Sequence, residues 1–212
     1  MASNIAARRA AKANRRKAIV AEKRRSELGA NSLAGRVAAA ANLPLRDCLL
    51  TEGWAETGMG SLILTRGATS ANLSMGLFLI DAFCLGVKDV GFRSIDGDEL
   101  DLFLEMTSLA TPLVPVDPAY ARKLLRDVTA WAAGLGFQPH RSFAAVERLF
   151  GSIDADACPV EFQFGCDGSP LYLPGPNETP KQVQRRMEQY LQRVEISDAG
   201  PVVEGSAVLL DG

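Results

Sequence analysis

Residues 72–92, NLSMGLFLIDAFCLGVKDVGF, constrain the fold more than any other part of the chain. The stretch is rich in apolar and aromatic residues, a composition typical of β-structure. Two similar stretches precede it, RDCLLTEGW at 46–54 and GSLILTRGA at 60–68. Turns are expected at AETGMG and GATSAN, because Gly and Asn tolerate positive φ angles. The pattern predicts a three-stranded antiparallel meander, with its long third strand central and buried on at least one face.

Helical patterns lie on both sides of this region. A short Ala-rich helix is predicted at 32–41, before the sheet. After it, Asp117 is placed to cap a helix whose first residue is Pro118 and which ends at Gly134 or Gly136. Trp131 falls on the apolar face of that helix. A further short helix is predicted over 142–150.

We expect Trp131 to pack against the strand that carries Leu77, Leu79 and Phe83, or against the neighbours of that strand. A large aromatic side chain on an apolar helix face buries much of its area when the helix covers a sheet.

The last third of the body predicts a hairpin followed by a helix. VEFQFG at 160–165 and PLYL at 170–173 read as two short strands joined by a tight turn at Asp167 and Gly168. Thr179 and Gln182 form the pattern of a capping box around a helix that begins at Pro180. Its expected buried stripe is Val183, Met187, Leu191 and Val194.

Together these patterns predict an α+β fold. A mostly antiparallel sheet, formed by the three-stranded meander and the later hairpin, is covered by helices. The predicted organisation is a basic helical or disordered arm at 1–30, a single α+β domain at 31–194, and a loose acidic tail at 195–212.

Composition limits the class of protein. The chain has 212 residues, of which 47% are hydrophobic and 23% charged, as in ordinary globular domains. We expect no membrane segment, because no apolar run reaches the roughly 18 residues that a spanning helix needs. Cationic residues interrupt the first apolar stretches, so we expect a cytoplasmic protein with reduced cysteines. The four cysteines and the single histidine match no zinc spacing, so neither a metal nor a cofactor is expected.

The charge of the chain is strongly divided. Through Glu27 there are nine Lys or Arg and two Glu, a net charge of +7, whereas the remaining residues hold 14 basic and 23 acidic side chains, a net charge of −9. Such a clustered basic arm is typical of nucleic-acid binding, and a segment that orders on phosphates favours RNA over DNA. The predicted nucleic-acid-binding residues are Arg8, Arg9, Lys12, Arg15, Arg16, Lys17, Lys23, Arg24 and Arg25. A solvated tail that aids solubility and an organellar transit peptide are the alternatives.

An acidic group offers a second hypothesis, a metal-dependent hydrolase or nuclease with a site around Asp81 and Asp89. Two carboxylates can hold Mg²⁺ while Lys88 steadies charge on a phosphate. Asp81 lies in an apolar run, however, and is equally suited to be a buried carboxylate bonded to backbone or to an arginine. The acidic turn at 96–101 is most simply a helix N-terminus capped by Asp96 or Asp98.

Cys84 and His140 form a possible nucleophile and base. A cysteine inside DAFCLGV is nevertheless more typical of a small buried hydrophobic residue.

Two motifs, FLIDAFCLGVKD at 78–89 and FGCDGSPLYLPGP at 164–176, resemble signatures of an uncharacterised bacterial protein family. The resemblance covers about residues 45–194. It implies a prokaryotic source and an intact folding unit, and it brings no established activity. The basic arm lies outside it.

The sequence thus predicts a non-catalytic nucleic-acid-associated protein, with the metal-dependent hydrolase as the alternative. In the first case the arm binds phosphates while the body is free to bind a protein partner.

Overall fold

The computed structural model describes Lys17, Ile19, Val20, residues 28–174 and residues 178–194. Its centre is an open five-stranded sheet in which every neighbouring pair is antiparallel. The spatial order of the strands is β4-β3-β2-β1-β5. The strands are β1 (Leu45–Thr51), β2 (Met59–Thr69), β3 (Asn72–Asp81), β4 (Gly86–Ile95) and β5 (Leu113–Pro115). The α+β prediction is confirmed.

The predicted third strand is in fact two strands. A turn at residues 82–85 separates β3 from β4. Asp81 accepts a hydrogen bond from the Cys84 amide at 2.9 Å, and Gly86 has a φ angle of 70°, which favours glycine. The meander therefore has four strands, and β4 lies at the sheet edge rather than at its centre.

Strand β4 contains a bulge. Leu79 pairs with Asp89, whereas the next residue of β3, Ile80, pairs with Val87, so Lys88 is an extra residue on the edge strand. Val87 and Val90 are three residues apart, so a regular strand would direct them to opposite faces. The extra residue lets both side chains join the same buried cluster.

Six α-helices are described in this part of the chain, and local caps account for most of their starts. They are α1 (Leu33–Ala40), α2 (Trp54–Thr57), α3 (Gly97–Ser108), α4 (Pro118–Gly134), α5 (Phe143–Val146) and α6 (Pro180–Val194). A 3₁₀ segment, Glu147–Phe150, continues α5. The Ser32 and Asp117 side chains accept from amides at the starts of α1 and α4. The predicted helices at 32–41, 118–134 and 142–150 are confirmed.

The two faces of the sheet are covered differently. The face that we call face A packs against α1, α4, α5 and the 3₁₀ segment, around fully buried side chains such as Leu64, Phe78 and Ile80. The opposite face, face B, packs against α3 through a smaller cluster centred on Ile63 and Leu100. Face A holds the main core.

A buried arginine joins face A to the helical layer. Arg66 lies on β2 with 7% of its surface exposed. Its guanidinium donates to the carbonyls of Leu43 at 2.7 Å, Leu149 at 2.6 Å and Phe150 at 2.8 Å. The Leu149 and Phe150 carbonyls belong to the 3₁₀ segment, and the Leu43 carbonyl belongs to the turn after α1.

The predicted later hairpin is wrong apart from its turn. Cys166 and Ser169 form an isolated bridge with both backbone hydrogen bonds, around Asp167 and Gly168 at φ angles of 50° and 79°. Residues 160–165 and 170–173 are not strands. Instead, their aromatic side chains pack on helices: Phe162 contacts the rings of Trp54 and Tyr120.

Two side-chain predictions are also corrected. Trp131 is only partly buried and its ring lies 6.3 Å from that of Phe164, whereas Leu77 belongs to face B, away from α4. Among the described side chains of α6, the buried one is Tyr190. Of the predicted stripe, Val183 and Met187 are partly buried, Leu191 is 43% exposed, and the side chain of Val194 lies outside the description. The helix is held by Tyr190, which packs with Cys84 and Phe137.

Near the N-terminus, the helical backbone continues through Gly29. Residues 28–31 have helical backbone, and Ser32 follows as the cap of α1.

Candidate functional site

The predicted nucleic-acid arm lies almost wholly beyond the described residues. Lys17 is described, with helical backbone and an exposed side chain. The other predicted contacts, Arg8, Arg9, Lys12, Arg15, Arg16, Lys23, Arg24 and Arg25, lie outside the described residues. Their role stays a prediction.

Asp81 is buried at the end of β3, where it bonds to the backbone of the following turn. The residue is 3% exposed, and its carboxylate accepts a hydrogen bond from the Cys84 amide. Burial raises the pKa of the Asp81 carboxyl, and backbone hydrogen bonds from the turn and the charge of Lys88 act in the opposite direction. The carboxylate thus closes the β3–β4 turn, as the backbone-bonded alternative predicts.

Asp89 lies in a different environment. Its side chain is 69% exposed, and Oδ1 is 3.8 Å from Nε2 of His140. The same oxygen accepts the Val90 amide at 2.7 Å. Within the described part of the chain, no group of three His, Cys, Asp or Glu side chains could hold a metal ion.

The acidic turn is a helix start. Asp96 accepts the Glu99 amide at 2.9 Å, and the Glu99 carboxylate accepts the Asp96 amide at 3.4 Å. This capping box begins α3, as the helix-terminus interpretation predicts.

Cys84 and His140, the possible nucleophile and base, lie in different environments. Cys84 is 1% exposed, and burial, reinforced by the charge of Asp81, raises the pKa of its thiol to about 12. His140 instead lies beside Asp89, and its Nδ1 accepts the Ser142 amide at 3.4 Å. A buried thiol with a raised pKa is a poor nucleophile, so Cys84 acts as a core residue.

The two segments that contain the motifs FLIDAFCLGVKD and FGCDGSPLYLPGP contact each other. Gly165 donates to the carbonyl of Ala82 at 2.9 Å, and Leu171 donates to that of Phe83 at 3.1 Å. The segment at 164–173 therefore crosses the β3–β4 turn and satisfies its carbonyls.

An ion pair fixes α6 beside this crossing. The Glu178 carboxylate accepts from the Tyr172 hydroxyl and from Nη1 of Arg186. Burial, together with the adjacent Glu178, raises the pKa of Tyr172 to about 12. Tyr172 therefore stays a hydrogen-bond donor at neutral pH.

A surface depression of about 210 Å³ lies next to this ion pair. Its polar lining consists of Lys88, His140 and Arg186, with the amides of Gln138 and Gln189. The residues come from the β4 bulge, the loop after α4, and α6.

Leu85 and Phe137 supply the apolar lining of the depression. Both are 5% exposed and pack with Cys84 and Tyr190 in the core cluster beneath. Within the described residues, no acidic side chain lines the depression. The arrangement is suited to donate hydrogen bonds to a small anionic molecule that also has an apolar part.

Sequence reasoning considered Lys88 and His140 in other roles and missed this grouping. The three basic side chains are remote in sequence, so no spacing pattern links them. Arg186 lies on α6 and is only partly exposed.

Comparison of the chain with family models, curated proteins and solved structures finds no match. In the described part of the chain, no helix is both long and apolar enough to cross a bilayer.

Proposed function

We propose that this protein is a non-catalytic nucleic-acid-associated protein that binds RNA through its basic N-terminal arm. The observation that carries the proposal is the division of charge, +7 through Glu27 against −9 in the rest of the chain. Clustered cations bind phosphates with release of counterions, whereas an acidic body repels nucleic acid. The proposal includes a bacterial source, for which the resemblance of the two motifs is the support, and a cytoplasmic location, for which the support is the cationic residues that interrupt the first apolar stretches.

The exposed surface of the body supports this division of roles. The first turn of α3 carries Asp98 and Glu99, both exposed, and α2 carries the exposed Glu56. Each of these carboxylates disfavours a nearby backbone phosphate of a nucleic acid. Contacts to an extended phosphate backbone are therefore expected at the arm.

The contacts of the candidate catalytic groups support a non-catalytic role. Asp81 accepts hydrogen bonds from its own turn, and Cys84 is enclosed in the core. Each side chain has a structural function that accounts for its position.

The salt dependence of binding tests the arm directly. Four to six contacts to a single strand predict a slope of log K against log salt of roughly −3 to −4, at about −0.7 per contact. Replacing Arg8, Arg9, Lys12, Arg15, Arg16 and Lys17 with Ala keeps helix propensity and removes the charge. Affinity for a single-stranded RNA should fall sharply and lose most of its salt slope, with an unchanged melting temperature.

A matched pair of variants separates the arm from general charge. Arg15→Ala with Arg16→Ala removes two cations from the arm, and Lys181→Ala with Arg185→Ala removes two exposed cations from α6. We expect only the first pair to weaken binding strongly. Equal loss in both pairs, or unchanged RNA binding by the six-residue variant at physiological salt, would contradict the proposal. A parallel assay for Mg²⁺-dependent cleavage tests the hydrolase alternative.

A further inference from the structure

We propose that the depression lined by Lys88, His140 and Arg186 binds a phosphate monoester, with the phosphoryl group on the basic side chains and a small apolar substituent on Leu85 and Phe137. This site lies on the body and is independent of the N-terminal arm.

The donors match the charge and shape of a phosphoryl group. Lys88 and Arg186 bring two permanent positive charges, which suit a dianion. Gln138 and Gln189 add neutral amide donors at the same surface. Because these groups come from three separate segments, they can contact different phosphoryl oxygens, whereas a carboxylate offers only two oxygens.

Two of the basic side chains are held in place before any ligand arrives. Arg186 donates through Nη1 to Glu178, which uses one of the five N–H donors of the guanidinium. His140 accepts the Ser142 amide at Nδ1, so in the neutral imidazole the proton is on Nε2. Fixed donors lower the entropic cost of binding.

The neighbouring carboxylates lie outside the lining. Glu178 contacts Arg186, Asp89 is 3.8 Å from Nε2 of His140, and Asp81 is enclosed in its turn. They partly balance the basic charges, so the free depression does not accumulate a large unpaired charge. The side chains that a bound phosphate monoester would contact are therefore hydrogen-bond donors and apolar groups.

The volume limits the size of the ligand. At about 210 Å³, the depression is smaller than the roughly 300–1,000 Å³ of sites for drug-sized molecules. It fits a phosphoryl group with a small substituent, from either a small metabolite or the 5′ end of a nucleic acid.

Phenyl phosphate is the first probe, because it combines a phosphoryl group with an apolar ring. His140 is the only histidine of the chain, so its imidazole proton resonances report on the site without ambiguity. We expect a saturable shift of these resonances in the full-length protein. Arg186→Gln should weaken binding at least about tenfold, as expected for loss of one charge-assisted contact.

Arg185→Gln is the matched control, since it removes the same charge from the neighbouring, exposed residue of α6. We expect it to change the affinity by less than about twofold, as for a screened surface charge. Gln189→Glu is a second test that leaves the Arg186–Glu178 pair intact. Its carboxylate at the depression should weaken binding, with unchanged melting temperature.

A second arm of the experiment distinguishes the two sources of phosphate. In the six-residue arm variant, a 5′-phosphorylated dinucleotide is compared with its 5′-hydroxyl form. Binding of phenyl phosphate, or of the 5′-phosphorylated form alone, supports the site when it depends on Arg186. No saturable shift with either probe, or equal loss in Arg185→Gln and Arg186→Gln, overturns it.

Discussion

The two faces of the sheet have similar apolar sequences but different burial. Along β3, Phe78 and Ile80 point to face A and are fully buried, whereas Leu77 and Leu79 point to face B and are only partly buried. Next to Leu79, face B has a shallow depression of about 190 Å³. The difference shows that an apolar strand does not ensure burial of both of its faces. The burial of each face depends on which helices pack against it.

The first prediction compares adjacent residues of β3 on the two faces. Ile80→Ala should lower the free energy of unfolding by about 3 to 4 kcal/mol, because it leaves a cavity in the main core. Leu79→Ala should cost about 1 kcal/mol, since less apolar area is lost from a partly open surface. Urea unfolding of both variants measures the difference. Equal losses would mean that face B is covered as fully as face A.

The second prediction concerns the arginine of face A. Arg66→Met keeps an apolar stem but removes the donors to three carbonyls, two of them contacted in a buried environment. We expect a loss of about 3 kcal/mol in unfolding free energy, because the three carbonyls lose this donor. The Phe150 carbonyl still accepts from the Ile153 amide at 3.3 Å. Arg46→Met is the control, because exposed Arg46 contacts Ser70 and Asp47 at the surface, where such contacts contribute about 0 to 1 kcal/mol. Similar costs for both variants would argue against a special role for Arg66.

The third prediction compares the caps of the covering helices. Asp96→Ala on α3 and Asp117→Ala on α4 should each cost about 1 kcal/mol. Helix α3 buries only Gly97 and Leu100, whereas α4 buries five residues, so α3 should open locally more easily. Hydrogen exchange should therefore show faster exchange in α3 of the Asp96→Ala variant than in α4 of the Asp117→Ala variant. The reverse order would contradict the comparison.

Local chemistry made some features predictable. Asp117 and Pro118 mark a helix start, and Thr179 with Gln182 forms a capping pair, because these signals act over three or four residues. The turn at Asp167 and Gly168 was predictable for the same reason. The strands expected on either side of it were not, because Phe162 packs against Trp54 and Tyr120, which are distant in sequence.

Features that depend on tertiary packing were not predictable. Residues 72–92 form two strands, and Asp81 and Gly86 are turn-favouring residues at the point of division. The apolar pattern continues past both residues, so it favoured a single strand. Trp131 lies on the predicted helix, yet its partner is Phe164 rather than the sheet residues expected. The depression lined by Lys88, His140 and Arg186 likewise depends on three segments that come together only in the folded chain.

The bulge at Lys88 also affects how the protein behaves at high concentration. A ten-residue edge strand such as β4 offers unpaired backbone groups that another molecule could extend into a continuous sheet. The extra residue disrupts the regular spacing of those groups, and Lys88 and Asp89 place charge on the same edge. The His140 amide also occupies the carbonyl of Val87. The edge is thereby protected against intermolecular strand pairing and the aggregation that follows from it.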